Sequence, residues 1–261
     1  VWAARIAAGQ VVDASGREVS ATRRYERALK VYYYRDPPAE APPPQPETVI
    51  YRDARIVVAD KPHFMPVTPA GRHLHQTLLV RLKRSLGIDT LAPVHRIDRE
   101  TAGLVLFTID PATRGRYQRV FAERAADKRY ECIAAWREDL QAPRSHRSRL
   151  VDDPAHFMRM AETDGPVNAI TDIRLAERRG TLARYELRPL TGKRHQLRVH
   201  CAALGAPIVG DRIYPTLQPA DTDDAGDPLR LLAASLAFDD PLTGAALRFE
   251  SRLRLAWPDH Q

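Results

Sequence analysis

Cysteine is nearly absent: the 261 residues include 2, Cys132 and Cys201. This excludes a disulfide framework and a cysteine-rich zinc module, and both thiols are expected to be reduced, buried and inert. No apolar run approaches the roughly 18 residues of a membrane span. The opening residues Val1-Trp2-Ala3-Ala4-Arg5 do not read as a signal peptide, so a cytoplasmic location is expected. There is no glycine-rich dinucleotide fingerprint. Thr191-Gly192-Lys193 is like the tail of a phosphate loop but lacks the upstream glycine and the trailing Ser/Thr. Neither His-Glu-x-x-His nor Cys-x-x-Cys occurs, and His195 and His200 are five apart, not the four that would align two ligands on a helix. These absences predict chemistry that uses neither a metal nor a nucleotide cofactor.

What is abundant is positive charge. Lys and Arg total 40 against 33 Asp and Glu, a net charge of +7. Such an excess favours an anionic partner, nucleic acid foremost, although an ordinary basic enzyme would also account for it. Hydrophobic residues at 44% and charged residues at 28% make an ordinary globular balance that can bury a core without staples.

Residues 36–48 contain six prolines and cannot continue a helix or central strand, so they read as an extended linker. The linker separates a basic N-terminal segment, residues 1–35, from a body, residues 49–261. The N-terminal segment ends in Val31-Tyr32-Tyr33-Tyr34-Arg35, which suits either RNA contact or an edge strand. In the body, Val49 to Lys61 reads as strand, turn, strand. Leu78, Leu79, Leu82 and Leu86 form a helical stripe, and Gly103 to Ile109 a buried strand. Pro111 to Ala125 reads as helix, with proline in its tolerated first turn, and Tyr130 to Trp136 as strand. Hairpins are expected about Arg179-Gly180 and about 239–244, and a helix over His195 to Leu204. Residues 221–227 read as a solvated acidic loop. Strands cluster without regular βαβ alternation, which predicts an α+β fold with a largely antiparallel sheet.

Three segments carry candidate chemistry. In the first, His95-Arg96-Ile97-Asp98-Arg99, a carboxylate stands among cations just before a buried strand, and cations favour its charged form. Read alone, it is more readily a turn whose structural Asp98 pairs with Arg96 or Arg99. The second is Lys128-Arg129-Tyr130, where a tyrosine at a strand start can stack on a base or sit at the core edge. The third runs from Thr191 through Lys193-Arg194-His195-Gln196-Leu197-Arg198 to Gly210-Asp211. A strand ends and a basic helix begins there, giving either an anion site or a solvated basic face.

Together, in this order and spacing, the segments resemble the RluA family of pseudouridine synthases. His95 to Leu104 is similar to the family's His-Arg-Leu-Asp-x-x-Thr-Ser-Gly-Leu, and Lys128 to Tyr130 to its Lys-x-Tyr. Thr191 to Asp211 is similar to Thr-Gly-Arg-Thr-His-Gln-Ile-Arg-Val-His followed by Gly-x-Pro-Ile-x-Gly-Asp. Ile97, Ala102 and Lys193-Arg194 depart from the pattern, the last adding charge. The resemblance covers roughly residues 48–255.

It implies an α+β pseudouridine synthase fold: a mixed, largely antiparallel central sheet, helices around it and a central RNA-binding cleft. It further implies a catalytic Asp98, an Arg198 paired with it, a Tyr130 packed on the target uracil, and Leu197 as an apolar wall. Arg96 would displace or hold the flipped nucleotide, and His95, Lys193, Arg194, His195 and Gln196 would complete the substrate-binding set. Residues 1–35 would be at most the latter part of a small RNA-binding domain. The implied reaction isomerises uridine to pseudouridine in structured RNA, with large-subunit ribosomal RNA favoured over transfer RNA. It needs no cofactor, metal or membrane, and a monomer is expected. Asp98 would either attack the ribose or remove a ribose proton. The alternatives are a non-catalytic RNA-binding or ribosome-assembly protein on the same scaffold, and an RNA methyltransferase, for which no cofactor signature is found.

Overall fold

A computed structural model of the chain describes residues 2–33, 40–219 and 226–258. Residues 36–39 of the expected linker and 221–225 of the expected acidic loop lie outside the described residues. The chain divides into two compact units, Val1–Glu40 and Ala41–Gln261. Among the described residues no helix is long and apolar enough to cross a membrane.

Among its described residues the first unit has a short helix, α1 (Trp2–Ala7), and an antiparallel pair, β1 (Val11–Asp13) and β2 (Val31–Tyr33). The buried Asp13 carboxylate ties it together, accepting from Ser15 Oγ at 2.6 Å and Arg23 Nη1 at 2.9 Å. β2 is exposed along its whole length.

The second unit is built on one sheet. Its strands are β3 (Thr48–Arg52), β4 (Ile56–Lys61), β5 (Ala92–Pro93), β6 (Ala102–Thr108), β7 (Asp127–Ala135) and β8 (Arg144–Asp152). They continue with β9 (Met160–Thr163), β10 (Ala169–Arg179), β11 (Leu182–Pro189), β12 (Leu231–Asp239) and β13 (Ala246–Glu250). The order is β3-β4-β6-β12-β7-β11-β10-β8-β9, with β13 beside β12 and β5 beside β6. Among the described residues β6 and β12 are the parallel pair, and the other pairings are antiparallel, as expected. Helices α2 (Leu78–Leu86), α3 (Arg114–Ala122) and α4 (Gln196–Ala203) lie around the sheet.

β6 organises the core because alternation sends its side chains to two faces. Leu104 and Leu106 pack with Ile56, Val58 and Tyr117, while Val105 and Phe107 pack with Val57, Leu78 and Leu82. The stripe on α2 forms as read, closed by Gly87 in the left-handed region at φ 66°. Gly103 has no room for a side chain: at φ 111°, an added Cβ would lie 2.3 Å from the Ala233 carbonyl oxygen.

Two elements differ from the sequence reading. The helix expected over Pro111 to Ala125 begins only at Arg114, after a turn closed by the Thr113 amide donating to the Asp110 carbonyl at 3.3 Å, an i to i+3 bond that is not α-helical in pitch. It ends at Ala122, and Arg124 then takes a left-handed φ of 61°. The polar stretch Arg144–Asp152 has no apolar alternation, yet it is a strand because β10 and β9 supply its partners.

Candidate active site

Three segments far apart in sequence meet at one cleft of about 950 Å³. The first is the loop from β5 to β6. Its backbone is pinned from three sides. Lys61 Nζ donates to the Arg99 carbonyl at 3.0 Å, His63 Nδ1 lies 2.6 Å from the Glu100 carbonyl, and His95 Nε2 accepts from the Leu106 amide at 3.1 Å. The His95 ring also stacks on Phe121, centroids 4.6 Å apart. With its backbone so held, the loop presents Asp98, its side chain one-quarter exposed, to the cleft.

The second segment is the start of β7. Tyr130 lies opposite Leu187 on β11 and Ala233 on β12, so its ring projects from the middle of the sheet's hydrogen-bonded ladder. The third is the entry to α4. Gln196 builds it: its Oε1 accepts from Thr191 Oγ1 at 2.8 Å and from the Lys193 amide at 3.1 Å. Its Nε2 donates to the Ile170 carbonyl and to Thr171 Oγ1, both at 2.9 Å. His195 turns the chain at φ 53° and sets its Nδ1 3.1 Å from the Tyr214 hydroxyl. Leu197 and Arg198 then face the cleft from the helix's first turn.

Arg198 is 1% exposed and its guanidinium is divided between partners. Nε and Nη2 donate to Asp211 at 2.8 and 2.7 Å. Nη1 reaches Asp98 Oδ2 at 3.3 Å and Glu100 Oε2 at 3.7 Å. Asp211 is held in turn by the Ile213 and Tyr214 amides at 2.8 and 3.0 Å. Burial works against the charge on Arg198, but the Asp211 carboxylate outweighs it and raises the arginine's pKa. At His95 burial prevails, helped by the charge of Lys128 and only partly offset by a hydrogen bond to the Arg96 backbone, and the pKa falls to about 3, so the ring is neutral. Burial lowers Lys61 to about 7 against the pull of Glu100 and Asp98. Burial, then the charge of Asp98, pushes the Tyr130 hydroxyl up, so it stays protonated.

All ten residues singled out from the sequence, from His95 to Arg198, line this cleft. Their surroundings sort them. His95 and Gln196 spend their polar atoms inside the protein, on backbone groups and, for Gln196, on the Thr171 and Thr191 hydroxyls. Arg194 is exposed but tethered, donating to Asp152 at 2.9 Å and to the Arg159 carbonyl at 2.8 Å. Arg96 and Lys193 are exposed cations at the rim. Three residues were given no role in the sequence reading: Asp211, Glu100 and Lys61. Asp211 closes the long motif and could have been suspected there, whereas nothing local marks Lys61 as buried. The arrangement offers a carboxylate beside a guanidinium, an aromatic ring and an apolar wall, in a pocket open to solvent at a basic rim. It suits a planar base on an anionic backbone.

The comparisons with known proteins agree with this. A family described as RNA pseudouridylate synthase matches residues 55–203. An uncharacterized RNA pseudouridine synthase of Synechocystis sp. is 29% identical over 82% of this chain and 73% of its own length. The dual-specificity RNA pseudouridine synthase RluA of Pasteurella multocida is 30% identical over 80% of this chain and 95% of its own. In solved structures, human RNA pseudouridylate synthase domain containing 1 superimposes with a TM-score of 0.65 at 22% identity, covering 81% of this chain and 85% of that one.

Proposed function

Since the chain belongs to the RNA pseudouridylate synthase family, we propose that the cleft takes an everted uridine and that Asp98 is the carboxylate that opens the reaction. The chain is an RNA pseudouridine synthase, an isomerase acting on RNA. In the isomerisation the N1–C1′ bond breaks, a C5–C1′ bond forms, C5 loses its proton and N1 gains one. Redox state and atom count do not change, so no step needs a cofactor.

The observation that carries the reading is the placement of Asp98 beside Arg198 in a cleft shared with Tyr130 and Leu197. Asp98 serves either by attacking C1′ or by removing a ribose proton, and both begin from the ionised carboxylate. A primary isotope effect from ribose deuterium would mark proton removal. Arg198 orients Asp98 through Nη1. Tyr130 and Leu197 retain the detached uracil between ring and wall, and exclusion of water by the closed complex suppresses hydrolysis. A stacked, paired uridine cannot reach Asp98, so it must be flipped out, at a few kcal/mol. Phosphate contacts from Arg96, Lys193 and Arg194 help offset that cost.

The test is tritium release from RNA labelled at uracil C5. Asp98→Asn is expected to bind RNA and release nothing, and normal release would remove Asp98 from the mechanism. Large-subunit ribosomal RNA is the first substrate to try and transfer RNA the second. Mapping pseudouridines in total RNA from cells with and without the protein identifies the target.

A further inference from the structure

Behind α4, away from the cleft, three side chains from three elements converge. They are His146 on β8, Glu162 on β9 and His200 on α4. One donor atom from each lies within 4.8 Å of the other two. His146 Nε2 is 2.8 Å from Glu162 Oε1, and His200 Nε2 is 3.9 Å from the same oxygen. None of the three lines the cleft.

We propose that His146, Glu162 and His200 form a three-ligand zinc site, its fourth position filled by water, that clips β8 and β9 to α4. Two imidazoles and a carboxylate are donors that Zn2+ favours, and two nitrogens disfavour the hard cations Mg2+ and Ca2+. Zn–N and Zn–O distances of about 2.0–2.2 Å put tetrahedral ligand atoms about 3.3 Å apart. The separations of 2.8 and 3.9 Å bracket that value, so the site closes by small side-chain movements. His200 is oriented for it: its Nδ1 is 2.8 Å from Thr171 Oγ1, leaving Nε2 to the cluster. A hydrogen bond on the far ring nitrogen is how metal-binding histidines are usually held. Ser148 Oγ, 3.1 Å from His200 Nε2, has to turn aside for the metal, and its hydroxyl is then placed to hydrogen-bond the water that completes the coordination. The position also gives the metal a purpose. β8 and β9 end the sheet, and α4 carries Leu197 and Arg198, so a clip there would stiffen the helix that supports the cleft.

The experiment uses the full chain, purified without a histidine tag and stripped with chelator, then titrated with Zn2+ against a chromophoric competitor. One tightly bound Zn2+ per chain is expected, with a higher Tm in its presence. His146→Ala and Glu162→Gln, both changes at partly exposed positions, should each weaken binding at least about 10-fold. The surface change His156→Ala should not. Co2+ in place of Zn2+ should show tetrahedral d–d absorption that Glu162→Gln abolishes, a signature that loss of fold alone is separated from by circular dichroism. Failure of the wild-type chain to bind stoichiometrically, or equal binding by wild type and both variants, would overturn the proposal.

Discussion

Asp211 grips Arg198 through both Nε and Nη2, at 2.8 and 2.7 Å, with each side chain 1% exposed. Arg198 therefore does not depend on Asp98 for its position or its charge. The buried pair forms a fixed base, and Nη1 is the part of the guanidinium left to meet Asp98 at 3.3 Å. In the proposed mechanism, a partner already neutralised in this way would orient Asp98 without binding it so tightly that the carboxylate is withdrawn from chemistry.

Asp211→Asn should thus be costly. Removing Asp211's charge leaves the buried guanidinium with only its longer contacts to Asp98 and Glu100, an effect of up to about 3–5 kcal/mol. A clear fall in Tm is expected, with tritium release lost. Adding Arg198→Met should recover part of the Tm and none of the activity, because the stranded charge is gone but nothing then orients Asp98.

Gly103→Ala should be among the most damaging small changes. The new Cβ would meet the Ala233 backbone oxygen at 2.3 Å and nitrogen at 2.6 Å, in a backbone conformation that L residues rarely adopt. Separating β6 from β12 disturbs the strand that anchors the Asp98 loop. A loss above about 4 kcal/mol, read by urea unfolding, is expected.

Lys61 should give a pH-dependent stability. Burial lowers its pKa from 10.5 to about 7 in the folded chain. Between those values the unfolded chain binds more protons, so stability from this group rises with pH. It is full above about pH 10.5 and lost as pH falls through about 7. Lys61→Met should flatten that rise when Tm is followed from pH 6 to 9, while lowering stability overall by stranding the Pro62 and Arg99 carbonyls.

Tyr130→Phe should retain most activity and Tyr130→Ala should not, because the ring is what stacks. Base–aromatic stacking is worth about 1–3 kcal/mol, and the loss is to be read in kcat/KM for tritium release. A phenylalanine variant as poor as alanine would mean that the hydroxyl takes part.

Arg96→Ala and Lys193→Ala, at the exposed rim, should each weaken RNA binding with little effect on Tm. Each should reduce the slope of log K against log salt by about 1, measured by filter binding.

Much of the fold could be read from local pattern. The seven-residue β6, the leucine stripe of α2 with Thr77 and Gly87 at its ends, and the hairpins β10–β11 and β12–β13 each carry their signal in neighbouring residues. β8 carries none: its strand character comes from partners on either side. α3 starts later than its pattern suggests because residues 111–113 close an i to i+3 turn, the Thr113 amide donating to the Asp110 carbonyl, before the helical ladder begins. In the candidate site, motif order was enough to name Asp98, Tyr130 and Arg198. It said nothing of Lys61, whose importance lies in complete burial.

Residue types and spacing along the chain determined the family, the α+β class and ten of the side chains that line the cleft, because motifs and hydrophobic periods are properties of contiguous residues. Tertiary structure decided how those side chains are used. That Arg198 is shared among Asp211, Asp98 and Glu100, that Gln196 and His95 are used up inside the protein, and that His146, Glu162 and His200 meet at all depend on distances of a few ångströms between groups 11 to 100 residues apart. Hydrogen bonds and ion pairs decay over such distances, so only the folded chain settles which of the possible partners each group takes.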